Sequence, residues 1–495
     1  PTSNYQTFNP LYPVNSNGPQ RFSDANLSID LSSASSLGYL RYFFSTLKMP
    51  SSGKWYFEHT RPSTVDANEP ALQYPYVGFT TLQDTSAAES SNTWYNNISM
   101  AGGSGYGYRY GTTTNAAYGP TQGSQVWPIG AVIGCSYDAD TGDVRFYNQG
   151  VDMGLFDTLP SNTDFYLSAI QNYTHGPAKF NFGQMPFVYT PPTGFKALHL
   201  NELEEPTIKD GKKYFGILLY NGNGSTQSIS DTNSVDFTPD LVWVKARTPS
   251  GIGHFIADSV RGGNGRLDSS GTTEERTNEG NITFQNGGFN VTSTHPSVNG
   301  NASSNTYVAW CWKAGTSYTP TVTGFTSPSA SINTEAGFGI YTFTGNNVAS
   351  SSFTHGLDST PELIIAKNRT TASDWAVFGP TGSSSTPTAT DTYLRLNEAT
   401  DANKGGTQIL TGNTSTTVSV NSFGETAGSD DYVYYLWHSV EGFSKFGQYA
   451  GHSNSHLDIN GAFVYCGFKP RWVMIKAITR AEPWMIFDSE LNAHN

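Results

Sequence analysis

Three aspartates, Asp138, Asp140 and Asp143, crowd around Gly142. Alternating carboxylates can converge on a hard cation such as calcium. Where an EF-hand loop counted from Asp138 needs a closing Glu, the chain has Gln149. The three are therefore weak metal candidates beside the plainer reading of a polar hairpin turn, since Asp and Gly populate turns strongly. Glycoside hydrolysis asks for two carboxylates a few ångströms apart, one with a raised pKa. Glu58, Asp138, Asp143, Glu274, Glu275 and Asp374 are available, but no spacing singles out a pair. His452 and His456 flank Ser453-Asn454-Ser455 and could hold a metal, although a solvated loop accounts for them as well. There is no G-x-S-x-G elbow, and Gly102-Gly103-Ser104-Gly105 lacks the lysine a phosphate-binding loop requires. The expectation is a chain with no catalytic residue and no cofactor.

The best binding candidate lies between Trp94 and Trp127. Trp94, Tyr95, Tyr106, Tyr108, Tyr110 and Tyr118 stand there among Gly, Ser, Thr and Asn. Rigid amphipathic rings set among small adaptable polar residues is the composition of a paratope, and aromatic faces stack on sugar rings. The competing reading is a strand pair whose alternate aromatics line a core or a subunit contact.

The elements that must position these residues are strands. The chain has 495 residues, of which 36% are hydrophobic and only 14% charged, with 51 Gly, 28 Tyr and 29 Phe. At about 100–200 residues per domain this is several domains. Aromatic and β-branched residues favour pleated surfaces, and Gly, Asn, Asp and Ser supply the turns between them. The net charge of −13, without any basic run, argues against nucleic acid and anionic membrane as partners. The apolar runs are far shorter than the roughly 20 residues of a spanning helix, so membrane insertion is not expected. Cys135, Cys311 and Cys466 are far apart in apolar runs and read as buried free thiols. The chain opens at Pro1 and stops at Asn495 inside a patterned region, so both ends read as cut.

Up to about Leu200 the chain alternates strand-like runs with turns. Trp55-Tyr56-Phe57-Glu58 follows Ser51-Ser52-Gly53-Lys54, and a hairpin is predicted around Asp138–Asp143. Residues 201–213 are charged and proline-containing, a linker. Beyond them, three elements recur in one order roughly every 110–120 residues. Phe215-Gly216-Ile217 returns at Phe338-Gly339-Ile340 and at Phe446-Gly447-Gln448. Pro239-Asp240-Leu241-Val242-Trp243-Val244-Lys245 returns from Pro361 to Lys367 and from Pro470 to Lys476. Tyr307-Val308-Ala309-Trp310 returns as Tyr432-Val433-Tyr434-Tyr435. The apolar run after each proline predicts a strand covered on both faces, with its lysine marking the exit to solvent. Units of this size can bury cores of their own, which predicts separate beads.

The first segment resembles the SPRY family. The resemblance rests on Gly53-Lys54-Trp55-Tyr56-Phe57-Glu58, Val77-Gly78-Phe79, Gly142-Asp143-Val144-Arg145-Phe146-Tyr147 and Phe180-Asn181-Phe182-Gly183. It implies a two-sheet antiparallel sandwich that binds proteins or ligands. The usual Asn-Gly hairpin turn is here Asn148-Gln149-Gly150. The whole arrangement is similar to phage tail-fibre and virion structural proteins with SPRY and companion β domains. The resulting expectation is an all-β chain, a SPRY-like antiparallel β-sandwich followed by tandem β-sandwich-like repeat domains. Its parts are a lead-in 1–21, the sandwich 22–200, the linker 201–213, repeats 214–316 and 317–440, and a partial third repeat 441–495. The resemblance implies a structural and adhesive virion component contacting a host-surface glycan or protein and other tail proteins, as a homo-oligomer, with a homotrimer the first guess. A virion-bound polysaccharide depolymerase and a bacterial surface adhesin are the alternatives.

Overall fold

The structure is a computed structural model. It describes residues 5–9, 22–29, 41–61, 76–80, 97–101, 107–110, 116–118, 128, 130–160, 165–171, 177–199, 202, 205–279, 281–300, 305–346, 348, 350–380, 386–388, 393–400, 409–421, 429–449, 464 and 466–490. Nearly all regular structure is β. The chain divides into two compact units, Pro1–Glu205 with Tyr449–Tyr465, and Pro206–Gln448 with Cys466–Asn495.

The first unit has two antiparallel sheets. In one, Ala178–Asn181, Lys54–Thr60, Val132–Asp138, Asp143–Asn148 and Val151–Thr158 lie side by side in that order. In the other, Tyr166–Gln171 sits between Arg41–Lys48 and Tyr76–Thr80. Period-two alternation builds the core: Trp55 and Phe57, Cys135 and Tyr137, and Val144 and Phe146 face Phe79, Leu167 and Ala169. Phe79 and Tyr137 meet across the sheets at 5.5 Å between ring centroids. Each such side chain taken from water contributes about 1.5–3 kcal/mol. The predicted hairpin is present, with Gly142 at φ +83° donating its N–H to the Asp138 carbonyl at 2.7 Å. The second turn joins Asn148 to Val151 through Gln149 (φ +48°) and Gly150 (φ +83°). Both central residues are left-handed, so this is the type I′ geometry that usually selects Asn-Gly.

The second unit stacks sheets in layers. One sheet places the closing strand Thr306–Trp312 between the opening strand Phe215–Asn221 and the proline-led strand Leu241–Thr248, followed by His254–Asp258 and Gly262–Leu267. Another places Asp431–Trp437 between Phe338–Gly345 and Leu363–Asn368, followed by Ala376–Phe378 and Leu394–Arg395. Smaller sheets cover one face of each, built on Gly288–Val291 and on Ser350–Thr354 with Thr417–Asn421. Alternation splits every main strand. Val242, Val244, Ala309 and Cys311 face the first small sheet, while Leu241, Trp243, Trp310 and Trp312 face the opposite way.

These outward tryptophans correct the expectation of separate beads. They share one core with Phe338, Ile365, Trp375, Val377, Tyr435 and Trp437 from the other main sheet. The hairpin Trp472–Ile475 with Met485–Asp488 packs Trp472, Met474, Trp484 and Ile486 against that same core. Units of this size can bury one face privately, but a main sheet with two apolar faces needs a second partner.

Three further expectations are corrected. Of the lysines ending the proline-led strands, Lys245 and Lys476 are half-exposed, but Lys367 does not leave for solvent. Lys367 is fully buried, donating to the carbonyls of Thr272 (3.2 Å) and Ser373 (2.8 Å), because loop carbonyls supply the acceptors an ammonium needs. Cys135 and Cys311 are buried, whereas Cys466 is only half-buried and outside any strand. Residues 446–449, which the recurrence sets beside the strands starting at Phe215 and Phe338, form no strand.

Candidate functional site

The aspartates at the first hairpin diverge. Lys54 Nζ pairs with Asp138 Oδ2 at 2.7 Å, and the Asp138 hydrogen bond and charge hold that lysine pKa above its ordinary value. Asp140 Oδ1 accepts the Gly53 N–H at 2.8 Å, and Asp143 Oδ1 accepts the Thr158 hydroxyl at 2.9 Å. Three carboxylates serving three partners brace a turn. Among the described residues no group of three His, Cys, Asp or Glu is arranged to hold a metal.

The other carboxylates are also engaged. Glu58 is buried and accepts the N–H groups of Val188 (2.8 Å) and Tyr189 (2.9 Å), with the Tyr56 hydroxyl at 3.3 Å. Asp374 takes Arg395 Nε at 3.0 Å and the Asn397 amide at 2.8 Å. Glu274 pairs with Arg276 at 3.2 Å. Glu275 bridges Arg261 and Arg369, the latter at 2.7 Å.

Arg261 is the centre of the densest charged cluster among the described residues. Its side chain and that of Asp258 are fully buried and meet at 2.6 Å. The Tyr435 hydroxyl, from the other main sheet, donates to Asp258 Oδ2 at 2.7 Å. Burial alone would lower the guanidinium pKa, but Asp258, Tyr435 and Glu275 together push it up. With its two acids paired to two arginines and to the Tyr435 hydroxyl, the cluster ties the two main sheets together. The sequence carried its components in Asp258-Ser259-Val260-Arg261, but nothing local says that Tyr435 completes it.

Of the aromatic candidates, Trp94, Tyr95 and Tyr106 lie outside the described residues, as do His452, His456 and Gly102–Gly105. Tyr108 and Tyr110 stand on Gly107–Tyr110, in register with Ser99 and Asn97, and Tyr118 is in register with Gly107. The backbone thus places these three in an antiparallel meander of one sheet. A surface that sequence reading missed lies around the Gln149-Gly150 turn. Val151 is 66% exposed, Met185 61% and Val188 64%. A Cβ added at Gly150 would lie 2.6 Å from the Tyr189 ring, so the turn sits against the loop carrying Val188. Its signal was apolar residues directly beside turn formers, as in Gly150-Val151 and Pro186-Phe187-Val188.

Comparison with known proteins places both units. Residues 54–185 match the SPRY domain family, and this part of the chain is a SPRY-like β-sandwich. Residues 210–495, more than half of the chain, match the family described as Domain of unknown function (DUF7483), and the chain belongs to that family. The ATP-dependent RNA helicase DDX1 of Xenopus laevis is 29% identical over 116 residues. That overlap is 23% of this chain and 14% of the helicase, so the chain spans about a seventh of the length of that relative. Among solved structures, the SPRY domain of human HERC1 aligns with 14% identity and a TM-score of 0.25, covering 36% of this chain and 99% of that one. A human SPRY domain aligns with 15% identity and a TM-score of 0.24, covering 32% and 94%.

Proposed function

We propose that this chain is a structural and adhesive segment of a phage tail fibre or related virion appendage. In this reading the SPRY sandwich engages a host-surface glycan or protein. The second unit, built from tandem copies of one β module, spaces that sandwich from other tail proteins. The observation that carries the reading is the shared tryptophan core, in which sheets made of the same elements in the same order bury their inner faces together. A spacer must transmit force between ends, and one continuous core does so without a hinge. The engagement of Glu58, Glu275 and Asp374 in internal pairs supports binding over depolymerisation.

Immunogold labelling with antibody against the full chain tests the assignment. Gold on the appendages of purified particles is expected. Gold confined to bacterial surfaces favours the cellular adhesin and sinks the virion reading. Incubation with host surface polysaccharide should give saturable binding and no released oligosaccharide, and light scattering should return a homotrimer.

A further inference from the structure

One position recurs three times beside the shared tryptophan core, and one of its three occupants is unlike the others. Val244, Ala366 and Ile475 each precede a strand-ending lysine, and they pair with Phe255, Ala376 and Met485. The residues just before those partners are His254, Trp375 and Trp484. Trp375 Nε1 donates to the Asp268 carbonyl at 2.9 Å, and Trp484 Nε1 donates to the Arg395 carbonyl at 2.8 Å. An indole N–H and a peptide carbonyl keep their roles at any ordinary pH.

His254 breaks the pattern. Its Nδ1 accepts the Trp243 Nε1–H at 2.8 Å, with the ring centroids 6.0 Å apart. Trp243 is a buried member of the shared core, edge-on to Trp310 at 6.0 Å and tilted against Trp312 at 6.5 Å. An indole nitrogen can only donate, so His254 Nδ1 is the bare nitrogen of a neutral ring. A protonated imidazole donates from both nitrogens and has nothing left to accept with. His254 is therefore either charged or bonded to Trp243.

The charged groups around the ring favour the bond. Lys245, on the proline-led strand, stands opposite His254 in register, its Nζ bonded to the Ile252 carbonyl. Burial and then the Lys245 charge lower the His254 pKa to about 4, against the opposing pull of Asp268. Asp268 lies just beyond Gly262–Leu267 and is already engaged. Its Oδ1 accepts the His254 N–H at 3.0 Å and the Ser270 hydroxyl at 2.6 Å, and Arg266 stands 3.9 Å from its Oδ2.

We propose that the Trp243–His254 pair is an acid-sensitive latch. Protonation of His254 at Nδ1 releases the Trp243 indole and loosens the hairpin of Leu241–Thr248 with His254–Asp258 from the shared core. The seams made by Trp375 and Trp484 stay closed. A buried donor stripped of its acceptor favours the opened hairpin, where water serves both rings. In that opened state His254 titrates near its ordinary value of about 6.5. Opening thus takes up a proton between about 6.5 and about 4. The latch is at full strength above that window, weakens as pH falls through it, and changes no further below it.

Hydrogen exchange of the full chain, corrected for the intrinsic pH dependence of exchange, reads the latch. From pH 7.5 to pH 5, protection at 241–248 and 254–258 should fall about 30-fold further in the wild type than in His254→Gln. The glutamine carbonyl accepts the indole N–H without titrating. Trp243→Phe keeps the histidine and removes the donor, and it should shrink the wild-type fall. It carries the test alone should His254→Gln fail to fold. A fall that His254→Gln reproduces, or that Trp243→Phe leaves whole, overturns the latch. So does a wild-type fall at 376–378 and 485–488 as large as the one at 254–258, because only the first seam carries the histidine.

Discussion

The two units treat buried charge differently. In the SPRY sandwich, Glu58 lies beneath a loop and accepts its N–H groups, so the carboxylate fixes a local piece of backbone. In the layered unit, Arg261, Asp258, Glu275, Arg369 and Tyr435 join residues far apart in sequence across two main sheets. The sandwich has one core between two sheets, whereas the layered unit adds a shared core to two private ones. A surface that presents loops needs local fixation.

The hardest test of this contrast is Arg261→Ala. It strands Asp258 and Glu275 without their cation, and breaking such a buried pair costs about 3–5 kcal/mol. Chemical denaturation should show the layered unit destabilised as a whole and the sandwich unchanged. Loss of only one main sheet would break the comparison. The next effect is a pH dependence belonging to the sandwich. His59 is buried against Phe180, and burial lowers its pKa to about 3. Between that value and about 6.5 the unfolded chain binds a proton that the fold refuses, so stability is full above 6.5 and falls with falling pH. About 2 kcal/mol should be lost between pH 6.5 and 5, and denaturation at the two pH values should show His59→Phe recovering it. The smallest effect is Glu58→Gln. The amide leaves one of the Val188 and Tyr189 N–H groups unmatched, costing about 1–2 kcal/mol. Hydrogen exchange should speed at 186–190 and stay unchanged in the layered unit.

Period-two patterning and recurring order made the strands and their double burial legible, since Leu241-Val242-Trp243-Val244 can satisfy two faces only if both are covered. The fate of Lys367 was not legible. A lysine after an apolar run reads as an exit unless one knows that Thr272 and Ser373 bring carbonyls to it. The Arg261 cluster was equally hidden, because its members act only once distant strands stack. The Asp138 turn shows the opposite limit, since a calcium-like spacing gave three carboxylates with separate duties.

In each main sheet the strand that lies between the opening and proline-led strands is synthesised last, about 90 residues after the first of them and about 65 after the second. At about 5–20 residues per second, a ribosome leaves the flanking strands without their central neighbour for roughly 5–20 s. Throughout that interval a nascent chain exposes unpaired strand edges twice over, the kind of edge on which neighbouring chains aggregate.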